Sequence, residues 1–113
     1  MSTIYSVDSL KEIAGDDQDF MAVVAETFLT EIPPDLEALV GAVENDNREL
    51  AYQFAHKMKP NIEMFGIDLL KDITAIETWT RSSKNKSAIQ DTVEKVNTTL
   101  HKVFEQLKKD FAL

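Results

Sequence analysis

Ile89, Val93, Val96, Leu100, Val103, Phe104, Leu107 and Phe111 recur at close to a 3.5-residue spacing through the C-terminal part of the chain. Such a run commits the segment to a helix with one apolar stripe, and that stripe has to be buried against other helices. No stretch of useful length alternates as a half-buried strand would. Gly and Pro number three each in 113 residues, so few positions interrupt helix propagation, and the abundant Ala, Leu, Glu and Lys favour it.

The remaining chain divides in the same way. Asp8 is expected to cap a short helix, DSLKEIAG, that closes at Gly15. Asp16 and Asp17 offer caps for a longer one, with Phe20, Val23, Val24, Thr27, Phe28 and Ile32 as its apolar face. Pro33-Pro34 is expected to bend this helix, whose pattern resumes through Leu36, Leu39, Val40 and Val43. After the turn Asn45-Asp46-Asn47, a third segment capped by Asn47 runs from residue 48 to about 65 and closes at Gly66. Asp68 is expected to cap a fourth helix from Leu69 to about Arg81, and Ser82–Lys86 form a polar loop. The expected fold is all-α, an antiparallel four-helix bundle with a short N-terminal helix and kinked long helices, forming one domain over residues 1–113.

A net charge of −8 argues against nucleic acid, which needs clustered Lys and Arg, and against anionic membrane surfaces. Without cysteine there are no disulfides or thiolate metal sites. MSTIYSVDSL has neither a basic region nor an apolar run of the kind a signal peptide carries, and no stretch reaches the roughly 18 apolar residues of a membrane span. The expectation is a cytoplasmic protein.

In the third segment, FAHKMKPNIEMFG, Pro60 removes the hydrogen bond that the carbonyl of His56 would otherwise receive. On a helical wheel Ala51, Phe54, Met58, Ile62 and Phe65 fall in one arc roughly 80° wide, and His56 lies about 160° from its middle. The histidine therefore faces water, with Tyr52, Lys59, Pro60 and Glu63 on the same outer side. The stripe keeps phase across Pro60, so the helix is expected to continue through it. A compact proline one turn beyond His56 leaves the imidazole open to another protein. A lone exposed histidine is in most proteins an ordinary surface residue, and these residues by themselves establish an accessible imidazole beside a cation.

The run A-H-K-M-K-P, with Gly66 ten residues after the histidine, resembles the signature A-H-x-L-K-[G/P] of histidine-containing phosphotransfer (HPt) domains. The opening Y-S-V-D-S-L-K-E-I-A-G-D-D, the segment E-T-F-L-T-E-I-P-P-D-L-E-A-L and the N-D-N turn extend the likeness over nearly the whole chain. The resemblance implies a four-helix bundle that accepts a phosphoryl group on His56 from one receiver-domain aspartate and passes it to another. Lys59 matches the family lysine that steadies the phosphoryl group. Pro60 stands where glycine is frequent, and Glu63 where a small residue is frequent. The implied partners are response-regulator receiver domains or a hybrid sensor histidine kinase, each meeting a monomer.

The chemistry is compatible, since an unperturbed imidazole has a pKa of about 6.5 and its neutral form is nucleophilic. Phosphoryl transfer demands mostly positioning and charge neutralisation. One lysine is too little for an autonomous kinase or phosphatase, and the chain has neither a Gly-rich phosphate loop nor an evident carboxylate cluster for Mg²⁺. No cofactor is therefore expected on this protein, and Mg²⁺ is expected on the partner receiver.

Other readings carry less. His101 lies about 105° from its own helix's stripe and reads as a bystander. A di-metal bundle site would use Glu-x-x-His pairs, whereas Gln53 and Thr98 stand three residues before the histidines. Trp79 and the phenylalanines read as core residues. A sensor-kinase dimerisation hairpin would have fewer helices. The main alternative is an adaptor that binds receivers without being phosphorylated, motivated by the expected exposure of Tyr52 and Met64 around the histidine. In either case the expected docking face comprises Tyr52, His56, Lys59, Pro60, Glu63 and Met64, flanked by Ile32–Pro34.

Overall fold

The computed structural model describes residues 5–15 and 17–113, apart from the side chain of Ile13. Among these residues the regular structure is entirely helical: α1 Val7–Ala14, α2 Gln18–Glu44, α3 Arg48–Met64, α4 Leu70–Thr80 and α5 Gln90–Asp110, with a 3₁₀ turn at Lys86–Ala88. α2 packs along α3, α3 along α4, and α5 closes against both α4 and α2, while α1 lies on α2. The result is an elongated body of 47 × 23 × 21 Å. No helix among the described residues is long and apolar enough to cross a membrane.

Local signals explain most of the boundaries. Asn47 caps α3 by accepting from the Leu50 amide, and Asp17 caps α2 by accepting from that of Phe20. Asp16 lies outside the described residues. The cap of α1 is Ser6, whose hydroxyl accepts from the Ser9 amide, and Asp8 instead sits in the first turn. α4 starts after Leu69 with no side-chain cap, so Asp68 does not serve as one. α2 and α3 run unbroken through Pro33-Pro34 and Pro60. Burial of their apolar stripes on both sides of each proline outweighs the hydrogen bonds lost.

The core takes Ala51, Ala55, Met58 and Ile62 from α3, and Val93, Val96, Leu100, Val103, Phe104 and Leu107 from α5. Phe28 of α2 meets Phe65 and Phe104 at ring separations of 4.3 and 6.0 Å. One stripe differs from expectation. α2 buries Met21 and Ala25 in line with Phe28 and Ile32, whereas Phe20, Val23 and Thr27 are exposed and Val24 is half-buried. Phe20–Ala25 are all apolar, so composition there does not select a face.

Polar ties also hold the helices in register. Asp35 of α2, buried to 9 % side-chain exposure, accepts from Lys57 of α3 at 3.0 Å. Arg48, at the start of α3, donates through Nη1 to the carbonyls of Trp79 (3.1 Å) and Ser82 (2.8 Å), through Nη2 to that of Lys84, and through Nε to Asp46 (3.1 Å). Its guanidinium also lies 4.1 Å from the centre of the Trp79 ring. Replacing Arg48 by methionine removes one donor from each of the carbonyls of Trp79, Ser82 and Lys84, and a loss of about 2–3 kcal/mol is expected in urea unfolding. Lysine, with one point charge in place of a planar fork, is expected to recover only a minor part of it.

Candidate functional site between α3 and α4

α3 projects Tyr52, His56 and Lys59 from one flank at spacings of four and three residues, so their side chains stack along the helix. Facing them, α4 and the residue that closes it contribute Thr74, Glu77, Thr78 and Arg81. Together the seven line a cleft of ≈ 340 Å³. His56 is open, with 65 % of its side chain exposed.

Glu77 is the residue that organises the cleft. Its side chain is only 10 % exposed, and its two oxygens divide their bonding: Oε2 lies 3.0 Å from His56 Nδ1 and Oε1 2.7 Å from Lys59 Nζ. Burial pushes this carboxyl up, but the hydrogen bonds from Lys59 and His56, with their charges, more than offset it, and the net direction is below the ordinary value. Glu77 is thus ionised at neutral pH and can only accept. The neutral imidazole must then carry its proton on Nδ1, which leaves the lone pair on Nε2, the nitrogen remote from Glu77. Lys59 gives one hydrogen to Glu77 and, as an ammonium, has two more.

Tyr52 is stacked on His56, with ring centres 5.7 Å apart and planes inclined by 8°. Arg81 places its guanidinium 4.7 Å from the centre of the Tyr52 ring. In a chain of net charge −8, this cleft holds Lys59 and Arg81 against the single carboxylate of Glu77, a local balance suited to an anion.

The other expected site residues are distributed differently. Pro60 and Glu63 are exposed on α3 but do not line the cleft. Met64, expected on the outer face, is half-buried and packs against the core: it is the last residue of α3, where the chain leaves the helix and the wheel no longer sets a side chain's surroundings. The flank expected at Ile32–Pro34 is reduced to the prolines, since Ile32 is fully buried. His101 lies on α5 with its ring edge-on to Phe104 at 5.5 Å, in a separate groove shared with Pro33 and Glu37. Among the described residues no three His, Cys, Asp or Glu side chains converge as a metal site would require.

Sequence reasoning missed Glu77, Arg81 and the two threonines. A usable signal existed for Glu77, which follows Ile73 by four residues and so shares its buried face. A carboxylate in that phase needs a cationic or hydrogen-bonding partner from a neighbouring helix.

Compared with protein-family models, with curated proteins and with solved structures, the chain matches none.

Proposed function

We propose that this protein is a phosphoryl carrier of the histidine-containing phosphotransfer type, working between receiver domains in two-component signal transduction. What supports the reading is one arrangement: an open His56 whose Nδ1 is engaged by the same buried carboxylate that holds Lys59. The finer architecture of the proposal is an antiparallel four-helix bundle of α2–α5, bent at its prolines, with α1 laid across it. In support, Glu44 at the end of α2 meets Lys86 just before α5, while Phe28 in the first half of α2 meets Phe104 in the second half of α5.

In this mechanism Nε2 of His56 attacks the phosphorus of a receiver's aspartyl phosphate. The new P–N bond forms as the acyl P–O bond breaks, and the aspartate leaves as a carboxylate. The Nδ1 proton stays in its hydrogen bond to Glu77, which stabilises the positive charge developing on the ring. Lys59 turns its remaining hydrogens toward the phosphoryl oxygens. The second receiver reverses the sequence, its aspartate oxygen attacking phosphorus as the P–N bond breaks. Receiver-bound Mg²⁺ supplies the further charge neutralisation, so the carrier needs no cofactor and has no autonomous kinase or phosphatase activity. The proposed setting is the cytoplasm and the proposed state a monomer.

The test is incubation with Mg²⁺ and a panel of phosphorylated receivers. Acid-labile label is expected on the wild type and none on His56→Gln, with His101 unlabelled in both. Receivers that dock on the wild type without labelling it would establish the adaptor reading instead.

A further inference from the structure

The C-terminal turn of α4 reaches His56 by two routes. Glu77 holds the ring edge at Nδ1. Arg81, four residues on, lies over Tyr52, and Tyr52 lies parallel to the His56 ring. The ring separation of 5.7 Å falls within the range of attractive aromatic pairs, about 4.5–7 Å. The 4.7 Å from Arg81 to Tyr52 falls inside the roughly 6 Å reach of a cation over an aromatic face.

These two grips differ in what they fix. A hydrogen bond sets a direction at one atom, so the imidazole can still rock about the axis through that atom. A flat neighbour sets the plane. The Nε2 lone pair lies in the ring plane, so the tilt of the ring decides where that lone pair points. We infer that Tyr52, pinned by Arg81, is a positioning residue that sets the plane of the His56 imidazole and hence the line along which Nε2 meets phosphorus. Its functional consequence rests on the phosphocarrier reading; the ordering of the ring does not. Tyr52 is thereby moved from docking to alignment, and Arg81 acts through it.

The experiment compares wild type with Tyr52→Ala, Tyr52→Phe and Arg81→Ala, each first checked for unchanged helicity. The transfer rate at saturating phosphorylated receiver is measured separately from receiver affinity. Reaction with phosphoramidate, in which Nε2 attacks phosphorus and ammonia leaves, reports the nucleophile without a docked partner. Tyr52→Ala is expected to slow saturated transfer about tenfold, in the manner of a misaligned reactant. Affinity and the phosphoramidate rate should stay within about twofold of wild type, the margin of a change confined to alignment. Tyr52→Phe should restore transfer, and Arg81→Ala should fall between. His56 ring-proton resonances should carry the upfield shift of a stacked ring in wild type and Tyr52→Phe, and lose it in Tyr52→Ala.

Wild-type saturated rates in Tyr52→Ala, or a loss confined to affinity, would return Tyr52 to docking and overturn the inference. Unchanged ring-proton shifts in that variant would overturn it as well. If no receiver labels the wild type, the phosphocarrier reading fails, and the ring-proton shifts, read without a receiver, still decide whether Tyr52 orders the imidazole.

Discussion

Replacing Glu77 by glutamine is expected to move the His56 proton from Nδ1 to Nε2 and, on the phosphocarrier proposal, to slow phosphoryl transfer by roughly 10–100-fold, within the range for a group that orients a reacting imidazole. The amide keeps the size of the carboxyl but has one accepting and one donating end. Lys59 can only donate, so it draws the amide oxygen to itself. The amide NH₂ is then left facing His56 Nδ1, which must accept. The proton consequently settles on Nε2, where the attacking lone pair has to be. Nitrogen chemical shifts of His56 read the tautomer directly. An Nε2 that stays unprotonated in Glu77→Gln, with transfer unchanged, would refute the role assigned to the carboxylate.

The same substitution changes how stability depends on pH. A folded-state pKa below the unfolded one means that ionisation of Glu77 favours the fold at every pH above the unfolded glutamate's value, about 4.3. That contribution is lost as the pH falls from there through the lower folded value. Acid unfolding of Glu77→Gln should lack this component.

Gly66→Ala is expected to have the largest effect on stability, about 3 kcal/mol from left-handed backbone strain and steric overlap combined. Gly66 has φ +62°, and a Cβ there would lie 2.5 Å from Ser6 Cβ and 2.9 Å from Ser9 Oγ. The contact cannot relax cheaply. Ser6 is the cap of α1, and its amide donates to the Phe65 carbonyl at 2.7 Å. Backing away would lift the start of α1 off the end of α3 and expose Tyr5 and Leu10, which are 2 % and 1 % exposed. Burial, with Asp110 as hydrogen-bond partner, also pushes the Tyr5 hydroxyl well above its ordinary pKa. Urea unfolding measures the loss, and a change under about 0.5 kcal/mol, the level of an ordinary surface substitution, would show that α1 adjusts without cost.

Much of this was legible because it is periodic. The stripes of α3 and α5 were read nearly residue by residue, and the exposure of His56 followed from its angle on the wheel. The phase of the first turns of α2 was not legible where six consecutive residues, Phe20–Ala25, are all apolar. Ala25 and Met21, the pair that the fold buries, lie three and seven residues before Phe28, on the face it shares with Ile32. The caps Ser6 and Leu69 were missed because tertiary contacts, the Phe65 carbonyl in one case and core burial in the other, decide those helix starts. The partners of His56 were missed for a related reason. Tyr52 and Lys59 lie on its own helix and come with the 3.6-residue repeat. Glu77 and Arg81 arrive from α4, and no spacing rule within one helix specifies how two helices meet.

The contacts that build the cleft join α3 to α4 and the residues just after it. His56 and Lys59 reach Glu77, Tyr52 reaches Arg81, and Arg48 secures the far end at Trp79, Ser82 and Lys84. Residues 48–84 therefore behave as one block under recombination. A chimera that exchanges the block whole carries every one of these contacts across. A crossover anywhere between Lys59 and Glu77 leaves the histidine from one parent facing the carboxylate position of the other.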